Sequence, residues 1–197
     1  EDIYLSCMPI YHIGGVSIFF RSIIFGFKSI QLNKFDVNLI LSFFQNQKIT
    51  FLSLVPTMLN RISVLFDKKK FKYLRGFIVS GGSSSEKLIK YCLGNDIPVF
   101  KSYGMTETSS GICGFWINQY QTKLNSVGLL FRGNKIKFEN SRILLNGPTI
   151  MSGYINDSPT KGWFTTDDYG SIDEDGFIYL QNRLLNRIIS GGENINL

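Results

Sequence analysis

Between residues 3 and 104, short apolar runs ending at glycine or proline alternate with segments whose apolar residues recur at helical spacing. The runs IYLSCMP at 3–9, SIQL at 29–32, TFLSLVP at 50–56, GFIVSGG at 76–82 and PVFKSYG at 98–104 read as strands. The intervening segments 10–27, 36–47, 57–66 and 86–94 read as helices. The first of these is expected to be largely buried and is opened by Gly14-Gly15; the second starts at an Asp36 cap. Strands joined through helices pair in parallel and carry the helices on the sheet faces. The alternation therefore predicts an α/β fold, a mostly parallel sheet flanked by helices. Ligands on such sheets sit beyond the carboxyl ends of the strands. The turns SGG at 80–82 and YGMTET at 103–108 both fall at such ends, so they should face one crevice.

After about residue 120 the pattern changes. KIKFENSRILLNG at 135–147 and GSIDEDGFIYLQNR at 170–183 alternate over short stretches, with hairpin turns expected at Glu139-Asn140 and at Asp173–Gly176. The expected organisation is an α/β subdomain over 1–120, a small β-rich, barrel-like subdomain over 121–187, and the start of a further domain over 188–197. There is no internal repeat and no low-complexity linker. Both ends read as cuts through a longer protein, since the first residue is Glu1 and the last, Leu197, follows a Gly-Gly segment closely.

Composition narrows the function classes. Hydrophobic residues make up 44% and charged residues 18%, the balance of a folded domain and not of a disordered chain. The net charge of +6 comes from 21 basic and 15 acidic residues that are mostly scattered. The one basic run, Lys68-Lys69-Lys70 with Lys72, reads as a solvated surface and not as a nucleic-acid patch. No apolar stretch is long enough for a membrane span, because Arg21 and Lys28 interrupt the best candidate at 13–30. Cys7, Cys92 and Cys113 lack metal-site spacing and read as buried thiols of a reducing compartment; His12 is the only histidine. The expected location is the cytoplasm, or the plastid stroma if the gene is plastid-encoded. Oligomeric state is not legible.

Chemistry concentrates in YGMTETSSG at 103–111. The segment offers an aromatic face for a base, hydroxyls and amides for a phosphate, and one carboxylate for a cation. It resembles the adenine- and phosphate-binding motif of the adenylate-forming superfamily of acyl-CoA synthetases, luciferase-like enzymes and adenylation domains. Three further segments match that superfamily in order: MPIYHIGG at 8–15, GWFTTDDYGSIDEDGFIYLQNR at 162–183, and IISGGENI at 188–195. The resemblance covers essentially residues 3–197. Within the superfamily the likeness is greatest to the o-succinylbenzoate–CoA ligases of menaquinone and phylloquinone synthesis.

The resemblance implies roles for matching positions. Tyr103 stacks on adenine, with Gly81, Gly82 and Gly104 in the nucleotide-binding turns. Thr106 contacts the α-phosphate, Glu107 holds Mg2+, Asp168 accepts from the ribose hydroxyls, and Arg183 lies near ribose and phosphate. Thr106 and Glu107 are the catalytic candidates. His12 flanks the acyl pocket, and Arg21, nine positions on in an apolar stretch, meets the second carboxylate of the substrate. Otherwise His12 is a satisfied core residue, and Arg21 reaches the surface or pairs with an internal acid. The implied ligands are ATP, Mg2+, coenzyme A and a small carboxylic acid. Alternatives are another acyl-CoA synthetase, for a fatty or aryl acid, and a catalytically incomplete nucleotide-binding fragment.

Several positions depart from the family pattern. T-G-D reads Thr166-Asp167-Asp168, G-R reads Asn182-Arg183, and the polar hinge residue and the following acid read Leu185 and Asn186. The glycine turn after SGG reads Ser83-Ser84-Ser85, and the terminal Tyr-Pro reads Asn196-Leu197. The resemblance also implies a phosphate loop ahead of residue 1 and a lysine-bearing domain beyond Leu197, neither of which lies in these residues.

Overall fold

The computed structural model describes residues 1–156 and 159–181, with the backbone of 187–190 and 193–196. Its first half runs β1 (Ile3–Ser6), α1 (Ile13–Phe25), β2 (Lys28–Gln31), α2 (Val37–Asn46), β3 (Phe51–Leu54), α3 (Pro56–Ser63), β4 (Gly76–Val79), α4 (Glu86–Gly94) and β5 (Val99–Met105). Local chemistry sets several of these boundaries. The Asp36 carboxylate accepts the Leu39 amide at 3.0 Å, and the Ser85 hydroxyl accepts the Leu88 amide at 3.2 Å, so each helix starts on a satisfied donor. Pro56 opens α3, where its missing N–H is not needed, and Gly26 closes α1 at φ 70.

The second half is β6 (Ser110–Trp116), β7 (Gly128–Leu130), β8 (Lys135–Glu139), β9 (Arg142–Asn146), β10 (Phe164–Ile172) and β11 (Phe177–Gln181), followed by β12 (Arg187–Ser190) and β13 (Glu193–Asn196). Among the described residues, eleven strands form one sheet in the order β2-β1-β3-β4-β5-β6-β7-β11-β10-β9-β8, and β12 pairs with β13 apart from it. Pairing is parallel from β2 to β5 and antiparallel from the β5–β6 pair onward. The expected α/β fold is present, and YGMTET marks the point where strand sense reverses.

Strand β6 has no counterpart in the sequence reading. Gly111 and Gly114 interrupt its apolar pattern, yet a Cβ at these positions would lie 2.6 Å from the Ser102 hydroxyl and 2.5 Å from the Phe100 ring. The close cross-strand approach that demands glycine also hides the strand. The β8–β9 turn is formed by Asn140 and Ser141, both at positive φ (49 and 63), one residue later than expected.

One apolar cluster, with Leu5, Leu52, Phe77, Ile89 and Val99, joins the parallel strands to α2, α3 and α4. A second, of Ile112, Cys113, Ile143, Leu145 and Ile178, lies among the antiparallel strands. The expectation of a largely buried first helix is corrected here. Gly15, Ser17 and Ile18 are buried in α1, while Phe19, Phe20, Ile23, Ile24 and Phe25 are exposed. Only one side of this helix meets the sheet among the described residues, and the apolar side chains on its other side stay exposed, Phe19 and Phe20 meeting edge to face at 5.7 Å between centroids. No helix among the described residues is long and apolar enough to cross a membrane.

Candidate active site

Strand ends and α1 line an open cavity of about 390 Å³. Ile18, Leu54, Ile78, Phe100 and Phe131 make much of its wall apolar, and Arg21, Ser80, Ser102 and Ser110 add polar groups. Ser80, the first residue of the 80–82 turn, lines the cavity together with Ser102, Ser110 and Gly111, which flank YGMTET; residues 103–108 are not themselves among the lining residues. Gly81 takes φ 77, a left-handed conformation that suits glycine in this turn. Gly81 and Gly82 are not themselves among the residues lining the cavity, whereas Ser80 is.

Arg21 lines this mixed cavity from α1 and makes no hydrogen bond or ion pair among the described residues. Opposite, the Tyr4 hydroxyl lies 2.8 Å from the Ser53 hydroxyl. Burial raises the Tyr4 phenol above its ordinary value, while Ser53 and the Arg21 charge pull the other way. His12 caps α1 with its backbone carbonyl, which accepts the Gly15 and Val16 amides at 3.0 Å each. Its ring is tilted against Tyr11 at 4.7 Å between centroids and stands outside the cavity lining. Gly15 lets α1 pass under the preceding loop, since a Cβ there would lie 2.2 Å from the Pro9 carbonyl oxygen.

YGMTET holds its shape through contacts the sequence reading did not single out. A Cβ on Gly104 would fall 1.8 Å from the Ser110 carbonyl oxygen, at an irregularity in the β5–β6 ladder. Thr106, Glu107 and Thr108 form one 3-10 turn. Thr108 is fully buried; its Oγ1 accepts the Met105 amide at 2.9 Å and lies 2.7 Å from the Ser110 carbonyl oxygen. Thr106 is exposed, so the paired threonines divide between holding the turn and facing outward. The Glu107 carboxylate accepts the Tyr154 hydroxyl at 2.8 Å, and the Met151 amide donates to the Glu107 carbonyl at 2.9 Å.

Tyr103 and Asp168, 65 residues apart in sequence, meet directly: the phenol donates to the carboxylate at 2.6 Å. Asp168 is only 4% exposed. Asp167, which replaces the family glycine, has no left-handed backbone and pairs with Arg142 at 2.9 Å. Arg183 lies outside the described residues, as do Asn182, Leu185 and Asn186.

Lys101 is a buried cation that the sequence reading missed. It is 8% exposed, donates to the Leu124 carbonyl at 2.6 Å and lies 5.8 Å from the Phe115 ring centre. Burial pushes its ammonium down to about 8. The thiols Cys7, Cys92 and Cys113 are free and buried, as expected, and burial pushes them up to about 11, 12 and 12.

A carboxylate beside a hydroxyl-bearing turn, next to a cavity at a strand-sense reversal, is what a nucleotide-and-acid site needs. Residues 1–155 match the family described as AMP-binding enzyme. This chain belongs to that family. Among AMP-binding enzymes, the 2-succinylbenzoate–CoA ligase of Bacillus mycoides is 33% identical over an alignment covering 99% of this chain and 44% of that protein. A solved double mutant of o-succinylbenzoate CoA synthetase from Bacillus subtilis, bound with a product analogue, superposes with a TM-score of 0.92 at 32% identity, covering 100% of this chain and 44% of that one. The same enzyme solved with ATP and magnesium gives a TM-score of 0.86 at 32% identity, covering 99% and 44%. The chain thus spans 44% of the length of such relatives.

Proposed function

We propose that this chain carries the acyl pocket and much of the nucleotide pocket of an ATP-dependent acid–thiol ligase acting on 2-succinylbenzoate. In the first half-reaction a carboxylate oxygen of the substrate attacks the α-phosphorus of ATP, and pyrophosphate leaves. In the second, the thiol sulfur of coenzyme A attacks the acyl carbon, AMP leaves, and the thiol proton is released. The products are 2-succinylbenzoyl-CoA, AMP and pyrophosphate. Relatives bearing that ligase name match nearly the whole chain, and solved neighbours hold ATP with magnesium or a product analogue, which supports the reading.

The observation that carries the substrate assignment is Arg21, a cation lining a cavity of mixed apolar and hydroxyl-bearing walls, with no acidic partner among the described residues. A dicarboxylic aryl acid supplies that partner and an apolar ring together, while a fatty acid supplies neither. On the nucleotide side, Tyr103 is assigned to adenine and Asp168 to the ribose hydroxyls. Thr106 is assigned to the α-phosphate, and the backbone around Gly81, Gly82 and Gly104 to close approach of the nucleotide. His12 is assigned to the edge of the acyl pocket and Arg183 to the ribose–phosphate side. Glu107 fits a magnesium carried in by phosphates, since that ion needs only one or two protein carboxylates. Magnesium bound there offsets phosphate charge; the chain's own part is to position the reactants and exclude water. The free, buried thiols support a cytoplasmic location.

Calorimetry tests the reading with two ligands: a stable acyl-AMP analogue of 2-succinylbenzoate, and the same analogue lacking the distal carboxylate. The wild-type chain should prefer the first, and Arg21→Ala should abolish the preference while retaining binding of the second. Equal affinity of the wild-type chain for both ligands refutes the substrate assignment, and binding of neither refutes the pocket.

A further inference from the structure

We propose that Arg142 is a positioning residue for nucleotide binding, acting through Asp167 and the irregular segment that presents Asp168. The inference rests on the assignment of Asp168 to the ribose hydroxyls. Strands β9 and β10 pair at Thr165 with Leu144 and again at Tyr169 with Arg142, so β10 carries extra residues between the two registers. Thr166, Asp167 and Asp168 lie opposite Ile143 alone, an excess of two residues. A bulge of this kind re-aims a side chain, and it persists only when its surroundings hold it.

Arg142 spans the bulge from the neighbouring strand. Its Nε donates to the Thr166 carbonyl at 2.6 Å, and its Nη2 donates to the Asp167 carboxylate at 2.9 Å. From inside, the Thr166 hydroxyl donates to the Ile143 carbonyl at 2.9 Å and accepts the Asp168 amide at 3.0 Å. The two clamps fix the peptide ahead of Asp168 from opposite sides. Asp168 is thereby held 4% exposed with its carboxylate on the Tyr103 hydroxyl at 2.6 Å. The family pattern has glycine where this chain has Asp167, and a glycine offers no side chain to grip. This chain instead ties the segment down with a planar two-donor fork, which an ammonium cannot reproduce. The pair is partly open to solvent, with Arg142 40% and Asp167 63% exposed in their side chains, so salt should loosen it.

The test compares binding of AMP and 2′,3′-dideoxy-AMP to the wild-type chain and to the variants Arg142→Met, Arg142→Lys, Asp167→Asn and Asp168→Asn. If Asp168 takes the ribose hydroxyls, the wild-type chain prefers AMP and Asp168→Asn does not. Arg142→Met should then lose about tenfold in AMP affinity, about 1.4 kcal/mol, the scale of one weakened hydrogen bond to a carboxylate, with dideoxy-AMP affinity unchanged. Arg142→Lys and Asp167→Asn should fall between wild type and Arg142→Met. A purely structural lesion weakens both ligands together and lowers the melting temperature. An unchanged AMP preference in both Arg142→Met and Asp167→Asn overturns the positioning role while leaving the Asp168 assignment intact. Should Arg142→Met fail to fold, Asp167→Asn decides alone, because it removes the charge and leaves the bond to the Thr166 carbonyl. Absence of any AMP preference in the wild-type chain removes the ribose assignment and the positioning role together.

Discussion

Methionine in place of Lys101 keeps a side chain of similar length and removes its charge, which makes the cost of burying that charge measurable. The ammonium is lowered from an ordinary 10.5 to about 8 by desolvation. That interval of about 2.5 pH units corresponds to roughly 3 kcal/mol favouring the neutral form in the folded protein. The hydrogen bond to the Leu124 carbonyl at 2.6 Å works in the other direction, and its loss leaves a buried acceptor unpaired at a cost of about 1–3 kcal/mol. At pH 7 the two effects nearly cancel, so the informative quantity is the pH dependence. Between about 8 and 10.5 the unfolded chain holds more protons at Lys101 than the folded one, so the wild-type protein gains stability as pH rises and loses it as pH falls through 8. The buried thiols act oppositely. They stay protonated in the folded state up to about 11 or 12 but ionise from about 9 when unfolded, which lowers stability above that pH. Both proteins share those thiols, so the difference between them isolates Lys101. Urea unfolding of wild type and Lys101→Met at half-unit steps from pH 7 to 10 should show the variant losing ground to wild type by about 2–3 kcal/mol, mostly above pH 8. A difference that stays constant across the range refutes the claim that folding disfavours this ammonium.

Three further outcomes follow from the surroundings of particular residues. Gly104→Ala should cost about 3 kcal/mol or more and abolish AMP binding, because its Cβ would meet backbone 1.8 Å away and not a yielding side chain. Gly94→Ala, with nothing within 4 Å, should be neutral or stabilising in the same denaturation assay. Asp173 is held down to about 2, chiefly by the Lys123 ammonium at 2.8 Å, so its stabilisation is present above its ordinary 3.8 and disappears as pH falls through 2. The melting temperatures of wild type and Asp173→Asn should therefore differ at pH 6 and converge by pH 2. A gap that persists at pH 2 counts against the ion pair.

The βα half of the fold was legible because its signals are local. Asp36 and Ser85 cap helices within three residues of themselves, and the runs at 51–54 and 76–79 are apolar enough to read as buried strands. Strand β6 was not legible, because Gly111 and Gly114 answer to the Ser102 and Phe100 side chains across the ladder and not to their own neighbours in sequence. The outward apolar side of α1 was misread for a related reason. Hydrophobicity alone marks a residue as suited to burial; whether a partner surface lies beside it is decided by the sheet, which meets only the Gly15–Ile18 side.

The same division runs through YGMTET. Sequence by itself determined that a strand ends there in a glycine-bearing turn rich in hydroxyls with one carboxylate, since residue types and spacing carry that much, and it placed the family resemblance on those residues. Only the tertiary structure decided the work of each group: Thr108 inward as a brace and Thr106 outward, Glu107 on Tyr154, Tyr103 on an aspartate 65 residues away, and Arg21 lining the open cavity. The physical reason is range. Caps and turns are fixed by bonds a few residues apart, whereas burial, desolvation and a meeting of Tyr103 with Asp168 arise only when the completed sheet brings distant strands side by side.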